Sequence, residues 1–333
     1  MTGGQSQSYD RLVFVRRSEA GTARRPLGAR ANLLATSISA IAQLALVAGT
    51  NGSAWAQPVD DKAAGSIIPG MRPGITPETG KRQSDSVQFN ASAGFTSDYI
   101  YRGVTLSDHK PALGASLEAT LGPLYAGTTF ASVNLPSQPS SEITAGAGVR
   151  PKLWNTEFDF GGTYYIYPGE VPGIPGINYL EVGARADTKL TDQFRVAAGF
   201  AYSPDFSNTG GWSKYAAFGI GLDLPSNLLP NNVSATLTSG VGYYWFGNQA
   251  AELGGFALPA YLNWTAGVTF SRSVFNLDLR YYDTNLSKEN CFVFTGDPHA
   301  TPGGRIDPVI NPEGLTSRWC GATFVAKFWF ELN

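Results

Sequence analysis

From Val87 onward the chain alternates. Val87, Phe89, Ala91, Ala93 and Phe95 hold odd positions, with Gln88, Asn90, Ser92, Gly94, Thr96 and Asp98 between them. A period of two predicts a strand with one apolar and one polar face. The pattern returns over residues 113–121, 125–134, 142–149, 158–167, 180–187, 194–202, 218–223, 233–238, 262–270, 275–280 and 321–330. That makes twelve strands, the one near Tyr125 being the least regular. With their flanks the segments reach about 9 to 13 residues, the length a tilted strand needs to cross hydrocarbon.

The connections carry a second pattern. Gly122-Pro123 and the stretches 151–155, 191–193, 225–231 and 272–274 are short, whereas the connections after odd-numbered strands are longer, the last covering about residues 283–318. Short turns on one rim and long loops on the other predict an all-β, transmembrane, antiparallel up-and-down barrel of twelve strands. In lipid only closure satisfies every strand hydrogen bond. Tyr99, Tyr101, Tyr165, Tyr167, Tyr179, Tyr243, Tyr244, Tyr261, Tyr281 and Tyr282, with Trp245 and Trp319, gather at the long-loop ends of strands and are read as an interfacial girdle.

Composition agrees with this reading. Charged residues are 15%, Gly 39, Tyr 15 and Phe 19, and mean hydropathy is −0.11. No run of eighteen apolar residues follows the first fifty positions, which excludes a bundle of membrane helices. Lys plus Arg (24) nearly balance Asp plus Glu (26), so nothing points to a nucleic-acid partner.

The N-terminus predicts export. Arg16, Arg17, Arg24, Arg25 and Arg30 precede a mostly apolar stretch over 31–49, and Ala54-Trp55-Ala56 supplies a small-residue site. Cleavage before Gln57 gives a signal peptide over 1–56, a Pro/Gly-rich periplasmic leader over 57–86 and a barrel over 87–333. In an oxidising compartment the only two cysteines, Cys291 and Cys320, are expected to pair. Closing a loop of about 30 residues stabilises by roughly 3 to 4 kcal/mol on the chain-entropy account.

The polar face is expected to line the lumen. Its acids are Asp98, Glu118, Glu142, Glu157, Asp159, Glu181, Asp187, Asp223 and Asp278; its bases include Arg102, Arg150, Arg185, Lys189, Arg195, Arg280 and Lys327. Near-balance of sign predicts modest ion preference. The remaining inward positions are mainly Gly, Ser, Thr and Asn, so a water-filled passage is preferred to a lumen plugged by charges pairing across it. Asp98 and Arg102 are read as an i, i+4 pair on the inward face, about 13 Å apart along a strand. Arg102-Gly103 is read as turning the chain out of the barrel. Two roles stay open for the pair, a charge network fixing the first loop or a constriction.

Catalysis finds no foothold in the spacing. His109 falls in the first long loop and His299 in the last, with no nucleophile beside either on one strand. No phosphate-cradling loop or zinc cluster is apparent, so neither enzymatic activity, metal nor cofactor is expected.

Two stretches carry a family resemblance. Residues 95–108, Phe-Thr-Ser-Asp-Tyr-Ile-Tyr-Arg-Gly-Val-Thr-Leu-Ser-Asp, followed by Lys110-Pro111-Ala112, resemble the opening signature of the TorF-type porins of proteobacteria. Tyr282-Asp283-Thr284-Asn285-Leu286-Ser287 leading to Cys291, with Cys320 before the final strand, is similar to that family's ending. The resemblance covers about residues 87–330. It implies an outer-membrane barrel with passive transport, assembled by the barrel-assembly machinery and embedded in outer-membrane lipid, and it names no solute. The chain departs from the pattern in its long leader, its enlarged loop between the cysteines, and Glu331-Leu332-Asn333 after Phe330. The expected function is a channel for small hydrophilic solutes. The alternative is a non-conducting barrel whose loops bind a partner, which Phe292, Val293, Phe294 and Ile306 in the last loop keep open.

Overall fold

A computed structural model describes residues 86–137, 139–169, 176–230 and 232–332. The expected signal segment, with Ala54, Ala56 and Gln57, and the leader through residue 85 lie outside the described residues.

Twelve long strands alternate direction along the chain: β1 Gln88–Thr96, β2 Ala112–Leu121, β3 Leu124–Ser132, β4 Ser141–Val149, β5 Thr156–Ile166, β6 Tyr179–Lys189, β7 Phe194–Ser203, β8 Ser213–Asp223, β9 Ser234–Phe246, β10 Tyr261–Arg272, β11 Phe275–Thr284 and β12 Thr323–Leu332. Each pairs antiparallel with its sequence neighbours, and β1 pairs with β12 from Ala91↔Leu332 to Thr96↔Lys327, so the sheet closes on itself. The barrel therefore has no free edge. Strand count, direction and closure match the expectation from periodicity.

Side-chain alternation holds around the ring. Phe95 sits opposite Leu113 and Phe328, Phe218 opposite Val241, and Leu277 opposite Phe328, each pair on the outer face. Phe95 and Phe328 bring their rings to 5.7 Å. Phe89 at 63%, Phe95 and Leu113 at 56% and Phe324 at 81% exposure belong to this wall. An apolar face of that extent on a closed barrel is what hydrocarbon contacts, so the strands span a membrane.

The rims follow the expected asymmetry with one exception. The turns 122–123, 150–155, 190–193 and 273–274 are tight, but the connection 224–233, with a 3-10 turn at Ser226–Leu228, outruns the 133–140 loop on the opposite rim. The last loop also holds a helix, α1 Lys288–Thr295, that periodicity did not foresee. Ser287 caps it by accepting from the Asn290 N–H at 3.1 Å, and Gly296 ends it in a left-handed conformation. Cys291 on α1 is bonded to Cys320, as the export reading expected, with the two Cα atoms 5.8 Å apart.

The girdle reading needs correction. Tyr165, Tyr167, Tyr179, Tyr244 and Tyr261 are buried, together with Tyr215. In runs such as Tyr243-Tyr244-Trp245 a strand sends alternate residues to opposite faces. Trp245 is exposed outside while Tyr244 is enclosed. Clustering near one rim was legible; which face each ring took depended on register.

Candidate functional site

The signature over residues 95–108 folds inward. After β1, Ile100–Tyr101 pairs with Val104–Thr105 as a tight hairpin, with Ile100 opposite Thr105 and Tyr101 opposite Val104. Arg102 (φ 51°) and Gly103 (φ 84°) form its two-residue tip, both with the positive φ that such a turn requires. Glycine is needed for a second reason: a Cβ at 103 would collide with Thr284 Cγ2.

The hairpin's contacts locate it. The Tyr99 hydroxyl donates to Glu142 on β4 at 3.0 Å, Tyr101 Oη lies 3.2 Å from Tyr165 Oη on β5, and Arg102 Nη2 donates to Glu181 Oε1 on β6 at 2.8 Å. The Arg102 guanidinium also faces the rings of Tyr215 on β8 and Tyr244 on β9, at 4.1 and 4.5 Å, and of Tyr101 at 4.8 Å. Gly103 abuts Asn263 on β10 and Thr284 on β11. One short segment touches so many successive staves only from within the lumen. This corrects two readings: Arg102 is on no barrel strand, and Arg102-Gly103 turns the chain inside the barrel rather than out of it. Hydrogen bonding within the hairpin brings this about, because Asp98 and Arg102 no longer share one extended strand.

An aromatic lining receives the tip. Tyr165 stacks on Tyr179 at 4.5 Å, and Tyr179 meets Phe206 of the loop after β7 at 5.2 Å. Phe206 meets Phe246 at 5.4 Å, and Phe294 of α1 reaches both Phe246 and Tyr261 at 5.3 Å. Tyr215 fits because β9 has Gly242 beneath it, where a Cβ would collide with the Tyr215 hydroxyl. The Arg102 side chain is wholly buried and its partner Glu181 is 11% exposed.

The base of the hairpin is tied to the last loop. Asp98 accepts from the Thr105 hydroxyl and pairs with His109 Nδ1 at 2.7 Å, while the Ser107 hydroxyl lies 2.7 Å from the Lys110 carbonyl and 3.0 Å from Asp98. His109 Nε2 lies 3.2 Å from the Arg318 carbonyl. Both ring nitrogens thus face acceptors, which only the imidazolium satisfies. The Asp98 hydrogen bond holds the His109 pKa above its ordinary value, against partial burial. Asp108 Oδ2 pairs with Lys110 at 2.7 Å, its Oδ1 accepts from the Trp319 indole at 3.1 Å, and the carboxyl is held below the usual range despite some burial. The Trp319 carbonyl accepts from Thr105 N–H at 3.0 Å, one residue from the disulfide. Although Asp98, His109, Thr105 and Ser107 form an acid–base–hydroxyl cluster, its hydroxyls face the carboxylate and the Lys110 carbonyl, and the second imidazole nitrogen is occupied by a carbonyl. The geometry is a latch and not an activated nucleophile.

The other lumen charges pair along the wall. Arg185 meets Asp187 two residues on in β6, at 2.8 Å, and Arg280 meets Asp278 in β11 at 2.7 Å. Arg195 of β7 meets Asp223 of the adjacent β8 at 3.5 Å. Arg150, just after β4, forks onto Glu118 of β2 at 2.7 and 2.9 Å and reaches Asp159 of β5 at 3.1 Å, with the intervening Tyr125 ring 3.7 Å beneath it. Glu157 stands opposite Asp187 and Lys152, and Lys327 stands opposite Asp278 with its amine 4.8 Å from the Trp329 ring. Glu142 is held by Tyr99 and by the Tyr167 hydroxyl at 2.8 Å. Sequence reasoning singled out these charges but not Tyr215 or Phe206; Thr105 and Ser107 entered only within the signature, and Trp319, which is buried, only as a girdle aromatic. The available signal was β8, where Tyr215 and Ala217 alternate with Ala216 and Phe218, leaving both faces apolar.

These features define a class: a closed twelve-stranded transmembrane barrel with its first loop folded into its own lumen. The chain belongs to the family described as "Bacterial protein of unknown function (Gcw_chp)", which matches residues 81–301. Among solved structures, the NanC porin is similar over 74% of this chain and 100% of its own, with 9% identity and a TM-score of 0.42. The KdgM porin is similar over 74% and 100%, with 7% identity and a TM-score of 0.38. OmpT, an outer membrane protein of Vibrio cholerae, is similar over 74% and 97%, with 10% identity and a TM-score of 0.35. No curated protein matches the chain.

Proposed function

We propose that this protein is an outer-membrane channel for the passive diffusion of small hydrophilic solutes, with the first-loop hairpin as its internal constriction. The observation that carries the reading is the direction of the ion pairs. Arg185–Asp187, Arg280–Asp278 and Arg195–Asp223 run within one strand or between neighbours, and Arg150 bridges over a single strand. Away from the hairpin, pairs along the wall hold charge against the barrel and leave the bore to water; among the described residues only Arg102–Glu181, which anchors the hairpin, reaches into it. The mixed sign of the wall favours weak ion preference. Location in the outer membrane, insertion by the barrel-assembly machinery and a non-enzymatic role belong to the same reading, which agrees with the TorF-type resemblance of residues 95–108.

Single-channel conductance tests it, comparing the intact barrel with one whose residues 98–108 are replaced by a short Gly/Ser turn. The hairpin-less barrel is expected to give larger, longer-lived steps than the intact protein. A folded hairpin-less barrel that leaves the bilayer silent would end the channel reading. Attention would pass to the alternative, a barrel whose loops bind a partner, for which Ile306 and Val309 of the last loop, 66% and 75% exposed, are the surface to probe.

A further inference from the structure

Arg102 occupies its pocket as a ligand would. Its guanidinium lies 4.1 to 4.8 Å from the centres of three tyrosine rings, with one carboxylate to the side. Aromatic faces around a cation, closed by a counter-charge, are how proteins recognise guanidinium and alkylammonium groups. The rings of Tyr215 and Tyr244 and the Glu181 carboxylate belong to the barrel wall; only Tyr101 and Arg102 itself come from the hairpin.

The fit within this cage is incomplete. Glu181 takes one bond from Arg102, through Nη2 and Oε1. Nε and Nη1 of Arg102, Oε2 of Glu181 and Nδ2 of Asn263 are buried without a hydrogen-bond partner among the described residues. A guanidinium and a carboxylate can form two parallel bonds, but here the hairpin backbone fixes the angle of approach. A free guanidinium, unconstrained by a turn, can present its fork to both oxygens.

We infer that the wall cage of Tyr215, Tyr244 and Glu181 is a binding site for a small alkylguanidinium solute, and that Arg102 is its tethered occupant. The inference rests on the channel reading for its meaning in transport, but the binding itself does not require conduction. Solute and Arg102 compete for one carboxylate, so arrival of the solute releases the hairpin. The tether places its guanidinium at an effective concentration on the millimolar scale, so the wild type binds free solute more weakly than a variant without it.

The probe is agmatine, titrated by calorimetry into the folded barrel in detergent, with heat-modifiable gel migration as the check on folding. Arg102→Ala is expected to bind agmatine saturably and at least tenfold more tightly than the wild type. Adding Glu181→Gln is expected to weaken that binding at least tenfold. In the wild type, chymotrypsin cleavage after Tyr101, identified by mass spectrometry, is expected to rise with agmatine and saturate, an assay that needs no variant. Equal binding by wild type and Arg102→Ala, or no agmatine effect on cleavage, overturns the cage. Agmatine binding with a silent bilayer for the same variant keeps the cage and removes transport. Conduction without agmatine binding does the reverse.

Discussion

Arg102 Nη2 and Glu181 Oε1 meet at 2.8 Å between a loop and a stave 79 residues apart, with the arginine side chain fully enclosed. Removing one member of such a pair strands the other charge out of water. Glu181→Gln is expected to destabilise the barrel by about 3 kcal/mol or more. Arg102→Ala combined with Glu181→Gln is expected to lose less than the two single losses together. Urea unfolding of the barrel in lipid vesicles measures the cycle; additivity within about 0.5 kcal/mol would show that the residues do not act as a unit.

Gly103 has both a left-handed backbone and a methyl group of Thr284 where its side chain would be. Gly103→Ala is expected to destabilise the inserted hairpin by about 1 to 3 kcal/mol, from crowding and from positive φ. Thr284→Ser retains the hydroxyl that donates to the Cys320 carbonyl at 2.7 Å while deleting the methyl. Combined with Gly103→Ala, it should recover the crowding part only. Chymotrypsin cleavage of the hairpin reads the effect, and an unchanged rate in Gly103→Ala would count against the inserted position.

The Cys291–Cys320 bond closes a loop with a sequence separation of 29. Cys291→Ser with Cys320→Ser is expected to lower stability by about 3 kcal/mol. Because the bond lies in the last loop and not in a stave, far-ultraviolet circular dichroism should retain its β signature. Trypsin should then cut at Lys288, Arg305 or Arg318 far faster than in the oxidised protein. Equal protection in both forms would mean that the bond does not order the loop.

The latch at His109 predicts a direction with pH. Its folded pKa is raised, so its contribution is complete below the ordinary histidine value of about 6.5 and is lost as pH rises through the folded value. Hairpin protection from chymotrypsin, corrected for the protease's own pH profile, is expected to fall with increasing pH across that window. His109→Gln, which cannot gain a charge, should flatten the profile. A His109→Gln variant with the wild-type slope would assign the dependence elsewhere.

The barrel was legible in the sequence because its physics is local and repeated. A period of two, sustained in twelve places, specifies strand, face and closure without any knowledge of distant contacts. The disulfide was legible because only two cysteines exist. The hairpin was not. Asp98 and Arg102 read as one inward strand face, and what redirects them is a pair of left-handed residues, one of them an arginine, which seldom adopts that conformation. The tyrosines were visible as a cluster but not as a lining, since neighbours in a run such as Tyr243-Tyr244 differ only in register. Helix α1 carried signals that alternation masks, Ser287 before it and Gly296 after it.

The seam between β1 and β12 continues past the strand proper: Ser97 N–H donates to the Ala326 carbonyl at 2.9 Å, and its hydroxyl accepts from Ala326 N–H at 3.0 Å. Asp98 follows at once. The N-terminal stave must wait for a partner synthesised more than two hundred residues later, and a contact of that separation forms late. Closure and hairpin placement are thus joined in the chain, since the zipper that seals the cylinder runs straight into the residue that anchors the inserted turn.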